Sequence, residues 1–122
     1  MNAPCPFCNP AEPLLENDLA FVIRDKFPAS PGHLLIIPRR HVADWFDTTE
    51  QERTALFALA DTARNWLADN HAPTGYNLGI NVGETAGQTV FHVHLHLIPR
   101  YPGDVPAPRG GVRGVIPNKQ SY

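Results

Sequence analysis

Apolar residues recur at every third or fourth position through the middle of the chain, which is the spacing that one buried face of an α-helix requires. The pattern predicts a helix from about Glu50 to Asp69. Thr49 and Glu52 have capping-box spacing at its start, and Asn70 and Pro73 end it. The stripe that this helix would bury consists of Leu56, Leu59, Ala60, Ala63, Trp66 and Leu67.

Short runs rich in Val, Ile, Leu and Phe flank the helix on both sides. Before it, Leu19 to Arg24 and His33 to Ile37 predict a hairpin with a longish loop. After it, apolar and polar residues alternate over Tyr76 to Val82 and again over Thr89 to Ile98, the period of half-buried strands. The linker Gly83 to Gln88 is short enough to make these two strands antiparallel neighbours. We therefore predict an α+β fold, a small antiparallel sheet with one main helix on its apolar face.

The composition fits one domain of 122 residues. Thirteen prolines fall almost entirely before residue 39 and after residue 98, which predicts a core over about 5–101 and an irregular tail over 102–122.

The charge and hydropathy of the chain limit its partners. A net charge of -2 does not indicate the basic surface that binds polymeric nucleic acid or an anionic membrane. The longest uncharged apolar run, Leu34 to Pro38, is too short to span a membrane, and the first residues do not resemble a secretory signal. A cytoplasmic protein is the expectation.

Three histidines alternate with apolar residues in the last predicted strand: His92, His94 and His96. Because successive side chains of a strand point to opposite faces, the alternation places all three imidazoles on one face. Three interpretations are open. The face could be a solvated polar surface, a three-histidine metal site of the catalytic zinc type, or an acid-base or nucleophilic histidine with two positioning neighbours.

The residues just upstream favour the nucleophile. Asn81, Gln88 and Thr89 bring amide and hydroxyl groups that can bind phosphate oxygens without adding charge. A catalytic zinc site would need a nearby carboxylate base, and the local candidate, Glu84, lies at the tip of the loop. A nucleophilic imidazole needs a hydrogen-bond acceptor on its other nitrogen, and we expect a backbone carbonyl there.

Cys5 and Cys8 are the two cysteines of the chain and are separated by two residues. In a reducing compartment such a pair binds a metal or does redox chemistry more readily than it forms a structural disulfide. The alternative is a metal-free pair of thiols in a flexible N-terminal segment.

The sequence from His92 to Ile98, with Ala86 to Val90 before it, resembles the motif of the histidine triad (HIT) family of nucleotide hydrolases and transferases. The resemblance extends to Pro31-Gly32-His33, to His41 and to the cysteine pair, and covers most of the chain up to about Tyr101. It implies a sheet of about five strands and a homodimer in which two sheets join edge to edge and the central helices pack together. In branches that act as phosphorylases or transferases the third histidine is a glutamine, so His96 favours hydrolysis.

The resemblance also implies a role for each site residue. His94 corresponds to the nucleophile that attacks the α-phosphate, forming a nucleotidyl-histidine that water then hydrolyses, and His96 would donate to the phosphate oxygens. Asp25 corresponds to an acid that accepts from the ribose hydroxyls, although an ordinary turn aspartate fits its position equally well. The implied nucleotide contacts are Asp25, His33, Asn81, Gln88 and Thr89, with apolar lining for the base from Phe7, Phe21, Ile23 or Leu34.

Members of the family that begin with the same cysteine spacing bind a structural zinc. Here its ligands would be Cys5, Cys8, His41 and His92, a closed set with no open position for water. The chemical step itself would then need no metal. The substrates implied are dinucleoside polyphosphates or nucleoside phosphoramidates, and the alternative is a zinc-stabilised nucleotide-binding or sensing module without catalysis.

Overall fold

A computed structural model describes residues 4–10 and 12–122 of the chain. Five strands form one sheet in the order β1-β2-β3-β5-β4, and every neighbouring pair is antiparallel. One long helix packs across β2, β3 and β5. The predicted α+β architecture is confirmed. Its elements are β1 (Leu15–Glu16), β2 (Ala20–Arg24), β3 (Leu34–Pro38), α1 (Glu50–Asn70), β4 (Gly75–Gly79) and β5 (Leu95–Arg100).

The helix α1 follows the prediction to within one residue at its C-terminal end. The hydroxyl of Thr49 accepts from the Glu52 amide at 3.0 Å, and the Glu52 carboxylate accepts from the Thr49 amide at 2.8 Å. Arg40 donates two further hydrogen bonds to the same carboxylate, at 2.8 and 3.0 Å. Glu52 is therefore satisfied although it is buried, and it ties the segment before the helix to the helix N-terminus.

The middle strand β3 is buried on both faces of the sheet. Leu34 and Ile36 pack with α1 in the main core. Leu35 and Ile37 lie on the opposite face, in a smaller cluster with Phe21. Leu34 therefore faces the helix, so its predicted contact with a nucleotide base is wrong, and Leu35 occupies that side of the sheet.

The two strands after the helix are shorter than predicted. β4 ends at Gly79 and β5 begins only at Leu95, so neither His92 nor His94 lies in a strand. The segment before β5 pairs instead with the connection between β3 and α1, where the Val93 amide donates to the carbonyl of Val42 at 2.8 Å. Apolar and polar residues continue to alternate through His92, Val93 and His94, but the backbone hydrogen bonds of this segment are not part of the β-sheet.

The tail after β5 forms two short 3-10 helices, Gly111–Val115 and Pro117–Lys119, and the first of them contacts β4. Apart from these two turns, residues 102–122 contain no helix or strand. In the part of the chain that the structure describes, neither α1 nor the 3-10 turns offer the length and apolar character of a membrane-crossing helix.

Candidate functional site

A row of aromatic rings runs across the face of the sheet opposite α1. The ring centroids of His33 and His96 are 5.1 Å apart, as are those of His96 and His94. The ring of Phe7 follows, 5.0 Å from that of His94. Only His96 is held by a strand, so the expectation that three histidines share one strand face is wrong. His92 is fully buried at the far end of the row, its ring 6.1 Å from Phe7.

His94 is held in one tautomer by the backbone. Its Nδ1 lies 2.8 Å from the carbonyl oxygen of His92, and since a carbonyl can only accept, Nδ1 carries the proton. The Nε2 atom of a neutral His94 is then left with its lone pair free. This confirms the expected backbone acceptor, and it is the arrangement that a nucleophilic imidazole requires.

His33 and His96 are held in the opposite tautomer. The amide of Ala29 donates to Nδ1 of His33 at 2.9 Å, so the proton of a neutral His33 is on Nε2. That Nε2 lies 2.9 Å from Nδ1 of His96 and donates to it. The proton of His96 is consequently on its own Nε2, where it can be donated to a bound ligand.

The carboxylate of Asp25 lies beside this pair. One oxygen is 3.4 Å from Nε2 of His33 and 4.0 Å from Nδ1 of His96, and the other accepts from the Phe27 amide at 2.8 Å. The second contact is the turn role that the sequence left open for Asp25. The ribose contact stays a prediction.

Burial keeps both histidines of the pair neutral. Desolvation, with smaller contributions from His94 and His33, lowers the pKa of His96 to about 4, while the charge of Asp25 opposes the shift. Desolvation also lowers the pKa of His33 against the opposing charge of Asp25. Asp25, His33 and His96 are close enough to hold a metal ion. We assign none there, because a metal on Nε2 of a neutral His33 would require a proton on Nδ1, where the Ala29 amide already donates.

The loop between β4 and β5 carries the three polar residues predicted to bind phosphate. Asn81 is partly exposed and Thr89 is exposed. Gln88 is buried, and its side chain joins this loop to the connection between β3 and α1: it accepts from Gly83 N at 2.8 Å and donates to the carbonyls of Ala43 and Val90 at 2.7 and 3.2 Å. Gln88 therefore braces the loop, and a direct phosphate contact by its side chain stays a prediction.

Cys5, Cys8, His41 and His92 come together at the other end of the row, with one potential ligand atom from each within 4.8 Å of the rest. Nδ1 of His92 is 3.4 Å from Sγ of Cys5, and Nδ1 of His41 is 3.2 Å from Sγ of Cys8. Soft thiolates with imidazole nitrogens are the donor set that zinc prefers in closed tetrahedral sites.

The tautomer of His92 tests whether this cluster fits a metal. Its Nε2 lies 2.7 Å from the carbonyl oxygen of Pro38 and must donate to it. The lone pair of Nδ1 is then directed toward the two thiols, and a backbone carbonyl serves as the outer partner that metal-binding histidines usually have. The residues fit a zinc ion. Desolvation and the neighbouring Cys5 raise the pKa of the Cys8 thiol, so metal binding must displace a proton there.

Several features that determine the geometry of the site cannot be predicted from the sequence. The Ala29 amide and the carbonyls of Pro38 and His92 fix the three tautomers, but any residue type supplies such groups. The position of Phe7, with its ring between those of His92 and His94, depends on the folding of the cysteine loop over the sheet. Its placement between two cysteines in the sequence was the one available signal.

A sequence model of the HIT domain family matches residues 7–103. An uncharacterised HIT-like protein of Mycoplasma genitalium is 41% identical over 86 residues, which are 70% of this chain and 61% of that protein. A protein of Mycobacterium tuberculosis named AP-4-A phosphorylase is 34% identical over 87 residues, covering 70% of this chain and 45% of that protein. The chain thus spans less than two thirds of the length of either relative.

Among solved structures, a zinc-bound histidine triad family protein from Mycobacterium smegmatis matches with a TM-score of 0.76 and 34% identity. The match covers 84% of this chain and 79% of that one.

Proposed function

The chain belongs to the histidine triad (HIT) family, and on that premise we propose that it is a nucleotide hydrolase that cleaves at the α-phosphate through a covalent nucleotidyl intermediate on His94. The observation that carries the proposal is the bond from Nδ1 of His94 to the His92 carbonyl, which leaves Nε2 as a free nucleophile. The proposal covers one HIT domain with its core over about 5–101 and its tail over 102–122.

The reaction would proceed in two displacements at phosphorus. In the first, Nε2 of His94 forms a bond to the α-phosphorus, and the bond to the leaving group breaks with its electron pair, which then takes up a proton. In the second, water attacks the same phosphorus, the bond to Nε2 breaks, and a nucleoside monophosphate and a proton are released. The His92 carbonyl would stabilise the positive charge that the imidazole carries between the two steps.

The remaining polar groups would bind the substrate. His96 would donate its Nε2 proton to a non-bridging phosphate oxygen, with His33 holding its tautomer. Thr89, which is exposed, and Asn81, which is partly exposed, would contact the phosphate directly, while Gln88 would act through the loop. The ribose would lie at Asp25, with the base against Ile23, a partly exposed residue that packs against the apolar cluster on that face.

We propose a structural role for zinc on Cys5, Cys8, His41 and His92. When all four ligands of a zinc ion are protein side chains, the metal cross-links the chain and has no open coordination position for water or substrate. It would tie the N-terminal loop to the residues before β5, which holds Phe7 against the nucleophile. Because both cysteines must stay reduced to hold the metal, we propose that the protein works in a reducing compartment, the cytoplasm.

Hydrolysis is favoured over phosphorolysis by the third histidine. The M. tuberculosis relative is named a phosphorylase, but the family resemblance associates transfer to phosphate with a glutamine at this position, where this chain has His96.

A homodimer is also proposed. β4 forms one edge of the sheet, and on that edge Leu78 is 47% exposed, while Phe57 on the outer side of α1 is 52% exposed. A second copy that joined its β4 edge to this one and packed its α1 alongside would cover both. Sedimentation at micromolar concentration tests this, and a monomer would contradict it.

The function is tested by comparing His94→Ala with the matched control His71→Ala, which removes an exposed histidine at the end of α1. On a panel of adenosine 5′-phosphoramidate and diadenosine tetraphosphate, His94→Ala should lose about 10³-fold or more in kcat/KM while its circular dichroism and melting temperature match the control. Nucleotide binding by the wild type without turnover of any member of the panel would instead support a binding module.

A further inference from the structure

A cavity of about 910 Å³ lies next to the histidine row, on the face of the sheet opposite α1. His33 and His96 line its inner end, and the outer faces of β4 and β5 form its floor. The tail forms the opposite wall with Val105, Val112 and Val115. This volume is in the range of small-molecule sites.

The cavity lies over β4 and β5, whereas the apolar cluster includes Phe21 of β2 and Leu35 of β3, and His94 is not among the residues that line the cavity. Because β5 lies between β3 and β4, His96 is placed between the proposed nucleoside side, at Ile23 of β2, and the part of the cavity over β4. A substrate whose α-phosphate is at His94 and His96 would extend in both directions from the phosphorus.

The charge of the cavity is balanced within its own walls. Among the described residues that line it, Arg100 is the one arginine or lysine. Its guanidinium donates to both oxygens of Asp104, at 2.7 and 2.9 Å, and to the side chain of Asn77 at 2.7 Å. His96 is neutral at pH 7, because burial has lowered its pKa to about 4.

Two other cations of the tail, Arg109 and Arg113, are engaged elsewhere, and the third, Lys119, does not line the cavity. The guanidinium carbons of Arg109 and Arg113 lie 4.9 and 5.0 Å from the ring centroid of Tyr122, and neither residue lines the cavity. The walls facing the cavity are instead largely aliphatic, with Ile98 on the floor opposite the valines of the tail. A polyphosphate entering here would lose hydration without gaining a free cation.

We infer that this cavity receives the leaving group of the proposed reaction and that it selects an uncharged, apolar leaving group, such as the amine of a nucleoside phosphoramidate, over a polyphosphate. The inference rests on the proposed function. The phosphorus–nitrogen bond breaks as Nε2 of His94 bonds to phosphorus, and the amine departs with the electron pair and takes a proton from solvent. An aliphatic or aryl group on that amine would be buried against Ile98 and Val112 as it leaves.

Three substrates that differ in their leaving groups distinguish selection by the cavity from the reaction at phosphorus. Adenosine 5′-phosphoramidate releases ammonia and leaves the cavity empty, adenosine 5′-benzylphosphoramidate places an apolar ring in it, and diadenosine tetraphosphate places a charged chain in it. The inference predicts that kcat/KM for the benzyl compound exceeds that for the ammonia compound by about tenfold and that for the tetraphosphate by more. Equal values, or a preference for the tetraphosphate, would overturn it.

Tail variants test the wall directly. Val112→Asp should lower the ratio of kcat/KM for the benzyl compound to that for the ammonia compound by about tenfold, and Val112→Lys should raise relative turnover of the tetraphosphate. The matched control is Ile116→Asp, since Ile116 is similarly exposed, at 59% against 61% for Val112, and does not line the cavity. The control should keep the wild-type ratio.

The two possible failures are distinguishable. If the ammonia compound turns over through His94 but both Val112 variants keep the wild-type ratio, the cavity is not the leaving-group site and the hydrolase function stands. If none of the three compounds turns over, the proposed function itself fails. A variant that melts at the wild-type temperature excludes loss of folding as the cause.

Discussion

His33 donates its Nε2 proton to Nδ1 of His96 across 2.9 Å, and this bond decides which nitrogen of His96 is protonated. The Ala29 amide fixes His33, His33 fixes His96, and the carbonyl of His92 fixes His94 the other way round. Two adjacent histidines of the row thus present a donor and a lone pair respectively. That difference is what a phosphoryl-transfer site needs from otherwise identical side chains.

The tautomers can be observed directly. In ¹⁵N NMR spectra of the histidine rings at pH 7.5, His94 should show a protonated Nδ1, whereas His33 and His96 should each show a protonated Nε2. His94→Ala and His96→Ala samples assign the signals. The same tautomer at His94 and His96 would contradict the arrangement described here.

His96 should titrate far below an ordinary histidine. Its pKa is lowered to about 4, mainly by burial, so its ring signals should show a midpoint near pH 4. The folded pKa lies below the unfolded value of about 6.5. His96 therefore lowers the free energy of unfolding as pH falls from about 6.5 to about 4 and adds no further dependence below that. A midpoint above pH 6 would show that the ring is solvated.

Zinc binding should depend steeply on pH. The Cys8 thiol has a raised pKa, and both thiols must lose their protons to ligate, so the affinity for zinc should fall about tenfold or more for each unit by which pH drops below 8. Competition with a chromophoric chelator measures this. One zinc per chain is expected for the wild type.

Cys8→Ser should abolish stoichiometric zinc binding, whereas the matched change Ser121→Ala at an exposed tail residue should not. Metal analysis after gel filtration distinguishes them. A chain that retains one zinc without Cys8 would show that the four-residue cluster is not the site.

Glu52 should contribute substantially to stability. Its carboxylate closes the capping box and accepts two bonds from Arg40, which also lowers its pKa. Glu52→Gln should lower the free energy of unfolding by about 1–3 kcal/mol. Because the folded pKa is depressed, this contribution is present above about pH 4.5 and is lost as pH falls through the folded value.

Urea unfolding measures the change, with Glu50→Gln as the control in the same helical turn. Glu50 is exposed, so its substitution should cost less than about 1 kcal/mol. Similar losses for the two variants would mean that the Arg40 contact contributes nothing beyond the helix dipole.

Much of the fold follows from local rules. The helix was predictable because Thr49 and Glu52 form a capping box from residues close in the sequence, and because its apolar residues recur at the three- and four-residue spacing of one helix face. β3 was predictable because five consecutive buried residues suit a strand covered on both faces. β1 was not predictable, because a strand of two residues is too short to show an alternating pattern. Its place in the sheet depends on pairing with Phe21 and Val22.

The site was predictable in its residue types but not in its geometry. The alternation around His92 and His94 continues that of β5, yet His92 is drawn away to Pro38 and the cysteines, a set of contacts that spans 54 or more residues. The prediction named Leu34 for the nucleotide face, but Leu35 lies on that face, because sequence alone does not say which face of a strand the helix covers. Backbone partners such as Ala29 have no signature at all.

The proposed mechanism depends most on His94 as the nucleophile. The protein should be mixed with adenosine 5′-phosphoramidate for milliseconds to seconds and quenched in alkaline denaturant, since phosphorus–nitrogen bonds are labile in acid, before peptide mass spectrometry. An adenylyl group on His94 is expected, and it should form and decay at rates compatible with turnover. Turnover with no adduct on His94 at any time, or an adduct on a different residue, would contradict it.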